Sequence, residues 1–177
     1  EPEKIRQWLE EEKGKVEGDI EALGTVLPSL SAMGKTPKGK TKVEVFEGKE
    51  GLKVFLKDIV RSANDVLING IDDARYDEAL PAFMPRYFEE LKAKRIKERV
   101  ITSERPGIFL FKNQTTEYRF LPEKEFNPTN TFVYADKVAI VSWDIPPTVI
   151  RIENRNMAGT YRQHFEHLWR IAKRRRD

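Results

Sequence analysis

The chain has 177 residues and a net charge of +3, the small difference between 32 basic and 29 acidic residues. That balance gives no electrostatic argument for nucleic acid, and the absence of Cys excludes disulfides, thiolate metal sites and cysteine nucleophiles together. No run approaches the roughly 18 apolar residues of a membrane helix, and Glu1-Pro2-Glu3-Lys4 opens without an apolar signal region. The expectation is a cytoplasmic protein of about one domain with an appended element, with no membrane association and no cofactor. Glu1 in place of an initiator Met suggests a piece of a longer polypeptide.

From Pro2 to about Ser31, Ile5, Leu9, Val16, Ile20, Leu23, Leu27 and Leu30 fall at helical spacing. Leu9, Val16, Leu23 and Leu30 stand at strict heptad intervals, so residues 1–33 read as a dimerisation coiled coil and the protein as a homodimer. Gly14, Gly18 and Gly24 weaken that helix by about 1 kcal/mol each relative to Ala. Residues 34–41 read as a basic linker. They match the phosphate-binding pattern G-x4-G-K-[ST] letter for letter, from Gly34 to Thr41. A helix precedes the glycines and a β-branched strand follows, the reverse of the order that lets backbone amides cradle phosphate. The segment is a tether on that reasoning.

Residues 42–177 read as one domain. Lys42 to Phe46 alternates as a strand, and Leu52, Phe55, Leu56, Ile59 and Val60 mark an amphipathic helix. Asp65 to Gly70 is a short buried strand, and a second helix after Pro81 carries Phe83, Tyr87, Phe88 and Leu91. Arg99–Thr102, Thr116–Leu121, Thr131–Ala135, Val138–Trp143 and Thr148–Glu153 are strand-like. A last helix runs from about Asn156 to Arg175, with Ala158, Tyr161, Phe165, Leu168 and Trp169 on one face. The fold class is α/β: a sandwich around a central mixed sheet with flanking helices, preceded by a long N-terminal helix.

Thr129 to Asp136, followed by the apolar strand Val138–Val141 and Ser142, is built like the motif of the phospholipase D superfamily, His-x-Lys-x4-Asp, an apolar strand and Ser. The resemblance implies a phospholipase D-like sandwich. With Asp136 as the motif acid, Thr129 and Thr131 stand where that chemistry needs His and Lys; shifting by one gives Pro128, Asn130 and Ala135. Neither register supplies the nucleophilic imidazole or the ammonium group. The two histidines, His164 and His167, sit three residues apart on the last helix, where a surface or packing role outweighs a metal site.

Val43–Leu52, Leu80–Phe83, Tyr118–Pro122, Asp136–Ile140 and Phe165–Trp169 resemble the effector-binding region of the TrmB family of transcriptional regulators. The opening helix resembles that family's linker coiled coil. The resemblance implies a catalytically inactive regulatory domain, a small-molecule effector, and DNA contact only through a winged helix-turn-helix domain that this sequence does not contain. The extra β-rich subdomain of the sugar-sensing members is absent before Asp177, so a sugar ligand is not expected. The polar residues expected to line the vacated cleft are Asn69, Asp72, Thr102, Arg119, Thr129, Asn130, Thr131 and Ser142. Capping and turn-closing roles are the plainer reading for each one taken alone. A ligand-free dimerisation scaffold and a divergent phosphodiesterase are the alternatives. The Arg174–Arg176 run reads as a solvated helix end that complements the helix dipole.

Overall fold

A computed structural model describes residues 2–33, 41–104, 108–126 and 129–174, with the backbone alone for residues 23, 24 and 26–33. The Gly34–Lys40 tether, Pro128, Arg175 and Arg176 lie outside the described residues. The chain divides into two units, Glu1–Lys40 and Thr41–Asp177. Among the described residues, no helix is long and apolar enough to cross a membrane.

The first unit is one helix, α1 (Pro2–Met33). Salt bridges one turn apart, Arg6–Glu10 and Lys13–Glu17, support its polar surface. Ile5, Leu9, Val16 and Ile20 are exposed, and so is Trp8, which the heptad count passes over. An exposed apolar stripe adds no tertiary stabilisation to a helix, and most helical stability comes from packing such a face.

The second unit is built on a seven-stranded sheet in the order β1-β7-β6-β5-β2-β3-β4. The strands are β1 (Lys42–Glu47), β2 (Val66–Asn69), β3 (Glu98–Ser103), β4 (Thr116–Leu121), β5 (Asn130–Tyr134), β6 (Lys137–Ser142) and β7 (Thr148–Glu153). β2, β3 and β4 are mutually parallel and every other pairing is antiparallel, so the sheet is mixed. Helices α2 (Gly48–Ser62), α3 (Asp73–Ala79) and α4 (Met84–Ala93) cover one face, and α5 (Arg155–Ile171) lies on the other.

The two-residue period of a strand divides the core between these faces. Ile68, Val100, Phe132, Tyr134, Ala139 and Val149 pack with Leu52, Phe55, Leu56 and Ile59 of α2. Leu67, Ile101, Val133 and Val138 pack with Ala158, Phe165 and Trp169 of α5. Burying each large side chain contributes about 1.5–3 kcal/mol, and Leu52, Phe55 and Ile59 are wholly enclosed.

Local chemistry sets the helix ends. α2 enters through Gly48 at φ 69 and leaves through Ala63 in the left-handed region at φ 51. The Asn154 side chain caps α5 by accepting from the Met157 amide at 3.0 Å. α5 ends at Ile171, short of the predicted Arg175, because Lys173 takes up β-type pairing with Phe120 on edge strand β4, through two backbone hydrogen bonds of 2.8 and 2.9 Å. α3 is a helix the periodicity did not predict; its seven residues carry too few apolar side chains to show a period.

Gly51 marks where α2 crosses β1. A β-carbon there would stand 2.8 Å from the Phe46 carbonyl carbon and 3.0 Å from the Phe46 β-carbon. Backbone atoms cannot yield as a flexible side chain would, so Gly51→Ala is expected to lower stability by about 1–3 kcal/mol in urea unfolding. Gly159→Ala on α5, where nothing lies within 4 Å, is the matched control and should be neutral or stabilising.

Candidate functional site on the uncovered sheet

α5 crosses only part of its sheet face. Strand pairing places Asn69, Thr131, Ile140, Ile150 and Val45 side by side in one row across five strands. Val45 is 57% exposed and Ile150 41%, while Asn69, Thr131 and Ile140 are half-buried. Ser142 and Thr148 pair in the row above, and Val43 and Ile152 pair in the row below. The surface is therefore polar where β2, β5 and the end of β6 meet, and apolar toward the β1 edge.

The eight polar residues expected in a cleft do not converge. Asn69, Thr131 and Ser142 share this open face, and Thr129, exposed, immediately precedes β5. Thr102 and Asn130 point the other way, into the helical layer, where both are fully buried. The Thr102 hydroxyl donates to the Ile71 carbonyl at 2.8 Å. The Asn130 carbonyl oxygen accepts from the Tyr76 hydroxyl at 3.1 Å and the Trp143 indole N–H at 2.8 Å, while its amide donates to the Gly70 carbonyl. Arg119 lies over the Trp169 ring, 4.4 Å from its centroid, and donates to the Trp169 carbonyl at 2.6 Å. Asp72 precedes α3 and pairs with Arg75 at 3.8 Å. On α1, Leu9 and Val16 are exposed, and the Leu23 and Leu30 side chains lie outside the description.

Strand geometry explains this separation. Side chains one residue apart face opposite ways, so Asn130 and Thr131 cannot serve one cleft. Asp136 occupies the tight turn between β5 and β6 and is exposed. Five residues of roughly extended chain put it about 15 Å from Thr131, at the far end of the hairpin. His164 and His167 are exposed on α5. No group of three or more His, Cys, Asp or Glu placed to hold a metal ion occurs among the described residues.

The helical layer holds the strongest electrostatics. Asp73 and Glu98 are buried, 2% and 4% exposed, and line a small cavity of about 20 Å³ with Tyr76, Tyr87, Phe111 and Tyr118. Asp73 accepts from the Tyr118 hydroxyl at 2.6 Å and the Phe111 amide at 3.1 Å. Glu98 accepts from the Tyr87 hydroxyl at 2.8 Å and the Thr116 hydroxyl at 2.7 Å. Burial pushes Asp73 up to about 6, with those two hydrogen bonds opposing and the Asp72 charge adding. Burial likewise pushes Glu98 up to about 7 against the Thr116 and Tyr87 hydrogen bonds, with the Asp73 charge adding. Nothing in the sequence marked either carboxylate as buried. The tyrosines that solvate them come from α4 and β4.

A second network ties α2 to the sheet. Asp58 accepts from Lys137 at 2.8 Å and from Tyr134 at 2.8 Å, and it pairs with Arg151 at 2.6 Å. Burial raises the Asp58 pKa, but the hydrogen bonds from Lys137 and Tyr134 and the charges of Lys137 and Arg151 outweigh it, so the group stays below its ordinary value. Arg151 also pairs with Glu44 and lies over the Phe46 ring, 5.0 Å from its centroid. These groups fasten β1, β6 and β7 to α2 through Glu44, Lys137 and Arg151, although the buried Arg151 Nε makes no hydrogen bond.

No protein-family model matches the chain, and no curated protein does either. Among solved structures, Nuc, a phospholipase D family member from Salmonella typhimurium, aligns at 13% identity and a TM-score of 0.54, over 78% of this chain and 100% of that one. NucT from Helicobacter pylori aligns at 11% identity and a TM-score of 0.51, over 77% of this chain and 100% of that one. TrmBL2, an archaeal chromatin protein, aligns at 14% identity and a TM-score of 0.48, over 97% of this chain and 68% of that one. With the mixed seven-stranded sheet between α2–α4 and α5, the Nuc and NucT alignments show a phospholipase D-like α/β fold.

Proposed function

We propose that this chain is the regulatory part of a TrmB-like transcriptional regulator: a phospholipase D-like domain without catalysis, paired as a homodimer. One observation carries the reading. The strand that bears His and Lys in phospholipase D chemistry here presents Thr131 to the open face, with Thr129 ahead of it and Asn69 alongside. Hydroxyl and amide groups recognise a ligand by hydrogen bonds, and a carboxylate on this side, Asp144, accepts from the Ser142 hydroxyl. With neither the imidazole nucleophile nor the lysine of the motif, they lack the phospho-enzyme route of phospholipase D chemistry. The sequence resemblance to TrmB regulators supplies the regulatory context. The exposed apolar stripe of α1 supports pairing. A small effector on the polar end of the open face would act by binding two protomer arrangements with unequal affinity.

Sedimentation equilibrium should find a dimer that Leu9→Asp with Val16→Asp converts to a monomer. An activated phosphodiester should be hydrolysed no faster than in buffer. A wild-type chain that stays monomeric at about 100 μM, a bound of about −5.5 kcal/mol on association, would sink the pairing. Turnover abolished by Thr131→Ala would sink the non-catalytic reading.

A further inference from the structure

The outer surface of the helical layer holds a concavity of about 480 Å³ between α2 and the α3–α4 connection. Lys49, Lys53 and Lys57 of α2 and Arg86 of α4 line it, and Leu80 and Phe83 form part of its floor. Four cations face one anion there, Glu50, which pairs with Lys53 at 2.6 Å. The groove alone thus carries +3, the same as the whole chain, whose remaining charges cancel. Among the described residues, Lys49, Lys57 and Arg86 make no ion pair.

The arrangement runs against the helix's own preferences. Lysines at four-residue intervals share a face, about 6 Å apart along the axis, and repel one another. Lys49 also sits in the first turn of α2, at the positive end of the helix dipole, where a cation is disfavoured and an anion favoured. No side chain caps that turn, because the Glu47 side chain makes no capping bond. Each of these costs falls when a multiply charged anion lies along the stripe. The size is that of a small-molecule site, and the floor of Ala79, Leu80, Pro81, Ala82 and Phe83 suits an apolar or aromatic portion.

We infer that this groove binds a nucleotide-sized organic polyphosphate, its phosphates along Lys49, Lys53 and Lys57 and its ring system on the Phe83 floor. The site lies on the opposite layer from the uncovered sheet face and does not depend on the function proposed for that face.

Titration calorimetry of the full chain with ATP and with inorganic tripolyphosphate tests it. Saturable binding of ATP is expected, with tripolyphosphate competing. Lys49→Glu with Lys57→Glu should weaken ATP at least about tenfold, the loss of two close charge contacts. Lys92→Glu with Lys112→Glu, an equal charge change at exposed sites outside the groove, should shift it less than about twofold. Phe83→Ala should weaken ATP more than tripolyphosphate. No saturable binding of ATP up to about 1 mM would overturn the inference. So would equal losses in both charge-reversal pairs. Tight binding of a single-stranded oligonucleotide without binding of ATP would overturn it in favour of a nucleic-acid surface. Far-ultraviolet circular dichroism of each variant, unchanged from wild type, establishes that a loss is local to the groove.

Discussion

Raising the pH from about 4 to about 8 is expected to destabilise the folded domain by several kcal/mol, through Asp73 and Glu98. Their ordinary values are 3.8 and 4.5, and in the fold they rise to about 6 and about 7. Below about 3 both groups are largely protonated in the folded and unfolded chains, and their contribution to stability is fully present. As pH rises, the unfolded chain ionises first, and the contribution is progressively lost until the folded groups ionise too. Each shift of about two pKa units corresponds to about 3 kcal/mol. Against a usual total of about 5–15 kcal/mol, the pair takes a large share of the stability at neutral pH.

Asp58, Glu44 and Glu166 act with the opposite sign. Their folded values lie below the ordinary ones, so their contribution is lost only as pH falls through the range beneath about 4. Maximum stability should therefore sit on the acid side of neutrality. Urea unfolding at a series of pH values gives the slope. Glu98→Gln should be more stable than wild type at pH 8 and should remove about half of that slope. The Thr116 hydroxyl can turn to accept from the new amide, so the substitution keeps the local hydrogen bonding. Equal slopes in wild type and variant would show that Glu98 does not titrate in this window.

Asn130→Ala should cost about 3–5 kcal/mol. The substitution strands three polar groups at once: the buried Tyr76 hydroxyl and Gly70 carbonyl and the half-buried Trp143 indole N–H. Each unsatisfied buried group costs about 1–3 kcal/mol. Asn130 joins α3, the end of β2 and the chain leaving β6, so the loss should be felt by all three. A double-mutant cycle with Tyr76→Phe isolates the contact, and a coupling of about 0.5–3 kcal/mol is expected. A cost below about 1 kcal/mol for Asn130→Ala would mean that water replaces the amide and that the site is not dry.

The frame of the fold was legible and its electrostatics were not. All seven strands follow from β-branched runs and alternation, and the helical spacing of Leu52 to Val60 and of Ala158 to Trp169 gave α2 and α5. Alternation also separates Asn130 from Thr131, but both faces of Asn-Thr-Phe-Val-Tyr look apolar in sequence. Which one stays open depends on where α5 lies, a tertiary outcome. Asp73 and Glu98 read as ordinary surface charges. The convergence of Tyr87 from α4, Thr116 and Tyr118 from β4 and the Phe111 amide makes their burial tolerable. The groove basicity was invisible for a similar reason: Lys49, Lys53 and Lys57 look like the solvated face of an amphipathic helix until Arg86 is brought opposite them.

The position of β1 at the sheet edge has a mechanical consequence. It is held by a strand on one side only, β7, and the Glu44–Arg151 pair that clamps it joins residues 107 positions apart. So distant a pairing carries a large loop-closure entropy cost. A pull applied along the chain from the N-terminal side reaches Lys42↔Glu153 before any other rung of the ladder. Peeling would proceed from there until it met the Glu44–Arg151 pair and the Phe46–Gly51 contact. β1 is thus the strand of the sheet that bears such a load first, with a ladder to β7 alone among the described strands to resist it.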